Sequence, residues 1–454
     1  MRKELANKLL EFPHKDGDRL PSVRALMKAY GVSSSTVQAA LRILEGQSKI
    51  CSIQGKGTFW ASSGILPVED LPLPRESASE KISRLFREDW ERGFLKTDEP
   101  LPLMKELAQR YNVSQAVLRR FLGKSVRQGL LTRSGRQFMF TQRKHTPVQN
   151  PLSELLFVTR CNSWGGFTAE SEREMDFLRM VYKKAGADHY KLTLLGITEN
   201  GGKLIDRSGK ACKLSDFKNA VGAILSTLLV STPQQLLQIF AGVKYPVAVW
   251  WELPEASLPQ RFLHKPNWTF FNSTFGPIPG IEMGRQLQLG GITQVAYFSP
   301  YHDSSWSVDR MAGLKESGLS VLDYTDNEFA SPWDYKQIAR KTVEKFSVEA
   351  YARELLKKKI IVLTSRNKDY EQLPVVCVND EVAGVLLEMA DEGSLNLHGK
   401  IFAFDNSAES YLLRIPSYDF NTQALVDHMF YSIENPDILG KKKVQHILGQ
   451  IVEK

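Results

Sequence analysis

The chain is poor in cysteine. Only Cys51, Cys161, Cys212 and Cys377 occur in 454 residues, each far from the next. That scatter argues against both a disulfide framework and a zinc site, so neither metal nor cofactor is expected. The sequence has no apolar run of membrane-spanning length either, and its opening MRKELANKLLEF is an amphipathic stretch broken by charges, unlike a leader peptide. A cytoplasmic protein without membrane contact is expected. Enzyme signatures are missing as well: no HExxH, GxSxG or P-loop pattern occurs, and Ser215 to Lys218 fits SxxK only as a short pattern easily met by chance. With no nucleophile beside a matched base, the expectation is a protein that is not an enzyme.

What the sequence does contain is a segment used twice. Leu20, Pro21, Leu26, Tyr30, Val32, Ser33, Leu41 and Phe59 recur 81 positions later as Leu101, Pro102, Leu107, Tyr111, Val113, Ser114, Leu122 and Phe140. A constant offset signals one small module in two copies. In each, Leu-Pro opens a short helical pattern, Tyr-x-Val-Ser breaks it, and a second helical pattern starts from the serine cap. β-Prone stretches around a glycine follow, SIQGKGTFW at 52–60 and LTRSGRQFMF at 131–140, and predict a two-stranded wing. The expected product is two α+β winged helix-turn-helix domains. The first spans 1–62 and opens with a helix from Lys3 to Phe12. A proline-rich linker covers 63–76, the second module spans 77–142 with a capping box at Ser77 and Glu80, and a further linker covers 143–152.

Charge follows the same division. Residues 1–150 hold 26 lysines and arginines against 15 acids, whereas the remaining 304 hold 33 against 36, so the basic excess of the +8 chain lies wholly in the repeat region. Such asymmetry on helix-turn-helix modules fits a phosphate-binding surface and double-stranded DNA as partner.

From 153 to 454 the texture changes to apolar runs separated by helical stretches. The runs are LLFVTR (155–160), KLTLLGI (191–197), VGAILST (221–227), PVAVWWE (246–252), WTFFNS (268–273), QVAYFSP (294–300), IIVLTS (360–365), PVVCVND (374–380) and KIFAFDN (400–406). Short buried strands between helices predict an α/β fold with parallel sheets, and this many strands divide better into two lobes than onto one sheet. Several runs end in polar pairs, where parallel sheets bind ligands.

The first module closely resembles the GntR-type winged helix. LPSVR (20–24), VSSSTVQ (32–38) and GKGTFW (55–60) carry the resemblance. It implies DNA contacts from Arg24, Ser33, Ser35 and Thr36, with Gln54 and Gly55 at the wing tip. Ser34 and Gln38 stand where that family usually has arginine, so readout here would rest on hydrogen bonds, and affinity must come from elsewhere. The second module is the candidate source. Between 103 and 144 it holds ten basic residues against the single acid Glu106, and Lys105, Ser114, Gln115, Arg119, Arg120 and Arg136 are its candidate contacts. The other reading makes it a spacer or dimerisation domain that keeps the fold without the role.

The large domain resembles the effector domain of lac repressor-type regulators, which is similar to periplasmic sugar-binding proteins. PVAVWWE, MGRQLQLGGITQVAYFSP (283–300), WSVDRMAGL (306–314), VNDEVAGVLLEMADEG (378–393) and FAFDN (402–406) carry this resemblance. It implies that Arg310, Asn379 and Asp405 hold ligand hydroxyls, a convergent set of donors and acceptors suited to a polyol. Trp306, Trp164 and Trp251 are candidates to stack on a sugar face or to pack in the core. Glu252 or Ser226 would supply a contact from the first lobe. The whole then implies a ligand-responsive transcriptional repressor, homodimeric, with a sugar as effector. The alternative is a DNA-binding protein whose large domain serves dimerisation or protein interaction without binding sugar.

Overall fold

The computed structural model describes residues 2–10, 14, 18–47, 49–53, 57–60, 78–135, 137–141, 153–161, 167, 171–198, 202–230, 232–436 and 444–454. They form two compact units, Met1–Lys81 and Ile82–Lys454. Phe12, Gln54, Gly55, Ser77, Arg136, Trp164 and most of both expected linkers lie outside the described residues.

The first unit contains α1 (Arg2–Leu10), α2 (Val23–Tyr30), α3 (Ser34–Gly46) and a hairpin of β1 (Ile50–Ile53) and β2 (Gly57–Trp60). Its local rules are simple. Ser22 caps α2 by accepting the Ala25 N–H at 3.2 Å, and Gly31 ends the helix in the left-handed region at φ +62°. Ser33 caps α3 by accepting the Thr36 N–H at 3.3 Å. Val37, Ala40 and Leu44, at helical spacing, bury one face of α3 against Leu5, Leu9 and Leu26.

The second copy repeats that element order with α4 (Ala78–Glu91), α5 (Met104–Arg110), α6 (Gln115–Arg127), β3 (Leu131–Ser134) and β4 (Gln137–Phe140). Ser114 caps α6 as Ser33 caps α3. One detail corrects the constant offset. Three residues join β1 to β2 but two join β3 to β4, so Trp60 pairs with Ile50 while Phe140 pairs with Leu131. Phe140 is thus the counterpart of Trp60, and Met139, bridged to Pro100 as Phe59 is to Arg19, is the counterpart of Phe59. The second wing is one residue shorter, so the same core position falls one residue earlier in the sequence, at Phe140 rather than at residue 141.

The rest of the large unit is two α/β lobes. Lobe 1 comprises β5 (Glu154–Cys161), α7 (Glu172–Ala187), β6 (Lys191–Thr198), β7 (Leu204–Ile205), β8 (Ala211–Cys212), β9 (Ala220–Ser226), α8 (Pro233–Ile239), β10 (Val247–Trp250), α9 (Gln260–Leu263) and β11 (Trp268–Asn272). Lobe 2 follows with α10 (Ile278–Leu289), β12 (Gln294–Ser299), α11 (Ser305–Glu316), β13 (Ser320–Thr325), α12 (Pro332–Thr342), α13 (Val348–Thr364), β14 (Val375–Cys377), α14 (Asp380–Asp391), β15 (Ile401–Phe404), α15 (Ala408–Leu412) and β16 (Ser417–Asp419). The chain then returns to lobe 1 as α16 (Thr422–Glu434) and β17 (Val444–His446), and ends in lobe 2 as β18 (Gln450–Val452). The sheets run β17-β11-β10-β9-β5-β6-β7-β8 and β13-β12-β14-β15-β16-β18.

Two expectations need correcting. The sheets are mixed, because β7 and β8 pair antiparallel at one edge and β18 pairs antiparallel with β16 at another. The run IIVLTS is not a strand but the end of α13. Ile360, Leu363 and Thr364 are buried while Ile361 and Val362 face out, a helical alternation continued from YARELLKKK. A short apolar run does not reveal its period by itself, and the helix formers before it decide the outcome.

The second copy is built onto the lobes rather than set apart from them. Trp90 of α4 stacks on His428 of α16, with ring centroids 4.6 Å apart, and meets Tyr431 and Phe140 edge or face at 5.8 and 5.3 Å. The His428 Nε2–H donates to the Trp90 carbonyl at 2.8 Å. Residues 82–140 and Tyr431 share one hydrophobic core.

Candidate functional site

The cleft between the lobes is built from strand ends and helix starts. On lobe 2, α10 and α11 cross so closely that a Cβ on Gly280 would lie 2.2 Å from the Arg310 carbonyl, and one on Gly313 would lie 2.1 Å from the Pro277 carbonyl. Gly313, three residues after Arg310, is therefore the contact that lets α11 seat its arginine. Arg310 is fully buried. Its Nη1 donates to the Val378 carbonyl, Nη2 lies 3.5 Å from Asp405 Oδ1, and its guanidinium stacks on Trp306 and Phe404 at 4.7 Å and Phe420 at 5.0 Å. Its Nε has no partner among the described residues. Burial pulls this guanidinium below its ordinary range, with Asp405 acting the other way.

Asn379 caps α14, its Oδ1 accepting the Val382 N–H at 3.0 Å, which leaves its NH2 as the part able to serve a ligand. Asp405 follows β15 at φ +103°, a backbone region that L-residues rarely occupy. Asp380 holds the turn beyond it, accepting from Ser407 N–H at 2.6 Å, Ser407 Oγ–H at 2.8 Å and Ser417 Oγ–H at 2.6 Å. Burial and the nearby Asp405 carboxylate push Asp380 up to about 7, against those donors, which favour the ionised form.

Lobe 1 answers with a second charged set. Ser171 caps α7 and the buried Arg160–Glu174 pair, 3.0 Å apart, fixes the start of that helix. Arg173, on its first turn, donates to Thr274 Oγ1 at 2.8 Å and lies 3.3 Å from Glu252 Oε1, which also accepts the Thr274 hydroxyl at 2.8 Å. The lobes touch where Glu172 Oε2 accepts the Ala408 N–H at 2.6 Å.

These walls enclose about 290 Å³, lined by Arg310, Asn379, Asp405, Trp306 and Glu252 together with Ser171, Arg173, Leu228, Leu229, Thr274, Phe275 and Pro332. Five sequence-predicted residues thus meet in one cavity. Ser226 does not join them, since it is buried at the end of β9 where its Oγ accepts the Leu228 N–H at 3.4 Å. Trp251 is in the lobe 1 core, with its Nε1–H directed at the Pro254 carbonyl. Arg173 and Thr274 were missed by sequence reasoning. Thr274 stands two residues beyond β11 and was open to the same strand-end rule, whereas Arg173 in SEREMDF carries no motif.

On the first copy, Arg24, Ser33, Ser35 and Gln38 are exposed, and Ser34 and Thr36 are half-buried at the start of α3. Ser33 Oγ is occupied by its capping bond and by the hydroxyls of Ser35 and Thr36, each 2.9 Å away. On the second copy, Lys105, Ser114, Gln115, Arg119 and Arg120 are all exposed along α5 and α6. Among the described residues no helix is long and apolar enough to cross a membrane, and no group of three metal-ligating side chains occurs.

Residues 2–59 match the family model of bacterial regulatory proteins, gntR family. The N-terminal helix-turn-helix is of that type. A search of curated proteins finds no match for the chain. Among solved structures it is similar to the Escherichia coli transcriptional repressor ascG, at 12% identity over 67% of this chain and 98% of that one, with a TM-score of 0.42. It is similar also to a regulatory protein of LacI family from Chloroflexus aggregans, at 14% identity over 66% and 97% of the two chains, with a TM-score of 0.41. A transcriptional regulator CelR–cellobiose complex is matched at 13% identity over 78% and 98%, with a TM-score of 0.41.

Proposed function

We propose that this protein is a DNA-binding transcriptional regulator, a homodimeric cytoplasmic repressor whose cleft takes an uncharged sugar. The observation that carries the ligand class is the composition of the cavity wall. Arg173 and Arg310 stand against Glu252 and Asp405, so the four charges balance and a net-charged ligand would leave one of them uncompensated in a partly dry site. A neutral polyol instead offers each guanidinium an acceptor and each carboxylate a donor, and Trp306 adds an apolar edge. The volume is at the small end of ligand cavities and suits a monosaccharide. The chemistry is that of binding: Glu252 and Asp380 are already engaged as acceptors from neighbouring donors.

On the DNA side, the gntR match supports Arg24, Ser34, Ser35, Thr36 and Gln38 as the reading face, with Ser33 holding α3 in register. The element order and exposed cations of the second copy support a second winged helix whose Lys105, Gln115, Arg119 and Arg120 anchor phosphates, with the Ser114 cap fixing the helix that carries them. Ligand acts by differential affinity for two lobe arrangements.

The test is fluorescence anisotropy of the full-length protein on duplex DNA enriched by selection, titrated with a panel of neutral monosaccharides and disaccharides. One or more sugars are expected to shift the DNA affinity, and Asp405→Ala to bind DNA as before without responding. A chain that binds DNA but responds to no sugar in the panel returns the large domain to dimerisation or protein interaction. A chain with no DNA affinity at low salt overturns the regulator reading itself.

A further inference from the structure

The ring that backs the two cleft arginines and the seat of the second copy belong to adjacent residues. Phe420 lies in the segment that carries the chain from lobe 2 back to lobe 1, and two guanidiniums stack on its ring, Arg173 of lobe 1 at 4.7 Å and Arg310 of lobe 2 at 5.0 Å. The next residue, Asn421, adopts the left-handed conformation at φ +57° and spends its side chain outside the cleft. Its Nδ2 donates to the Arg92 carbonyl at 2.8 Å and towards the Leu448 carbonyl at 3.3 Å, while its Oδ1 accepts the Ala424 N–H at 3.1 Å and caps α16. Arg92 is the residue just after α4 of the second copy. It also pairs with Glu282 of α10 in lobe 2, and its Nη1 reaches the Gly449 carbonyl in the other crossover at 3.4 Å. Beside it, Gly93 at φ +71° approaches α16 so closely that a Cβ there would lie 3.2 Å from that of Ala424. The Leu448 N–H completes the seat by donating to the Glu91 carbonyl at 3.2 Å.

We propose that Phe420 and Asn421 form a relay that passes the state of the cleft to the second copy of the repeat. The idea rests on the cleft being the ligand site. A ligand that draws Arg173 and Arg310 toward itself changes what holds the Phe420 ring. Asn421 cannot rotate with its neighbour without releasing the Arg92 carbonyl or uncapping α16, because both ends of its amide are engaged. The seat at Arg92 is tied to lobe 2 through Glu282 and to lobe 1 through α16, so any change in the angle between lobes also falls on it. Signal thus leaves the large domain through the loop after α4.

The test needs no ligand and reads amide hydrogen exchange on the full-length protein. Asp405→Asn removes the carboxylate beside Arg310 at constant shape, and it is made alone and together with Asn421→Asp, which keeps the capping oxygen but deletes the donor to Arg92. A relay predicts that Asp405→Asn changes exchange in peptides covering 92–95 and 448 by about fivefold or more, the weight of one hydrogen bond, and that the same substitution adds no further change once Asn421 is aspartate. Peptides covering Leu118 and Leu122 should stay unchanged in every variant. Equal responses in both backgrounds, or none in either, overturn the relay. If Asn421→Asp does not fold, Phe420→Leu replaces it with the same expected pattern. Failure of every sugar to bind would leave this outcome untouched, so the two readings fail separately.

Discussion

Where the first copy of the repeat has Leu9, the second has Trp90, and the two side chains serve different neighbours. Leu9 belongs to the core of its own module. Trp90 closes the core of the second module and also stacks on His428 of the large domain. Helices α3 and α6 differ in the opposite sense: Ser34, Gln38 and Ala39 in the first copy stand against Gln115, Arg119 and Arg120 in the second. One fold has thus been finished twice, once with a hydroxyl-rich α3 in a unit of its own, and once with a cationic α6 on a module packed against the two lobes. Fold and task separate cleanly here because the shared positions are the caps, turns and core, while role lies in the surface residues.

Trp90→Ala is the most severe way to break this comparison. Removing a buried aromatic that fills the joint between module and lobes should cost about 3–5 kcal/mol. Denaturant unfolding followed separately in the two units should show the whole of Ile82–Lys454 shifted and the first unit unchanged. If only residues 78–141 lose protection while the lobes unfold at the original midpoint, the second copy is an independent domain resting on its neighbour.

His428 gives the same joint a pH dependence. Burial pushes its imidazole down to about 4 from an ordinary value of 6.5. The unfolded chain therefore binds a proton that the native state refuses between those values. The corresponding stability is complete above pH 6.5 and disappears as pH falls through 4, a loss of about 3 kcal/mol. Asp380, pushed up to about 7, works in the opposite direction, its share present below the ordinary carboxylate value and lost as pH rises through 7. Comparing wild type with His428→Gln isolates the histidine: the difference in unfolding free energy between the two should change by that amount from pH 7 to pH 4 in favour of the glutamine. A constant difference would mean the ring is protonated in its seat.

The proposed DNA faces supply a smaller contrast. Arg24→Ala should weaken specific binding by about 1–3 kcal/mol and relax preference at one base pair. Arg119→Ala with Arg120→Ala should leave base preference alone and reduce the salt slope by about 2, close to one for each phosphate released. Anisotropy across a salt series separates the two patterns. An unchanged slope would assign the second copy to seating and relay alone.

How much of this was legible beforehand depended on whether a role was written in local chemistry. The serine caps, the Tyr-x-Val-Ser turn and the polar ends of buried strands obey rules that act within a few residues, so the caps Ser33 and Ser114 and the strand-end pairs at Asn379 and Asp405 were legible in the sequence, whereas a ligand role for Asn379 and Asp405 came only from the family resemblance. Arg310 was picked out by the resemblance alone, and the structure supplies the reason for Gly313 three residues on, whose approach to the Pro277 carbonyl lets α11 pack against α10. Residues whose meaning is tertiary were not legible. Arg173 acquires its place only when β5 and β11 lie in one sheet system, and Trp90 reads as one more apolar position of an amphipathic helix until α16 is set against it. IIVLTS failed for a different reason, because a run of four apolar residues fits both periods and the deciding helix formers lie upstream.

The gentlest way to sharpen the comparison is at the turn both copies share. Gly31 ends α2 at φ +62°, and Asn112, at the matching position 81 residues on, stands at φ +48°. Both copies therefore need a left-handed residue between the helices, and each meets the need with one of the residue types that tolerate it. A Cβ on Gly31 would find no atom within 4 Å, so a substitution there tests backbone conformation without steric interference. Gly31→Asn should shift the stability of the first unit by less than about 0.5 kcal/mol, whereas Gly31→Ala, which gains nothing from its side chain at positive φ, should cost about 1 kcal/mol. Thermal unfolding of the two variants measures the gap. Because the space is open, equal losses for alanine and asparagine would show that the first copy requires glycine for a reason its neighbour lacks, such as backbone approach by the DNA.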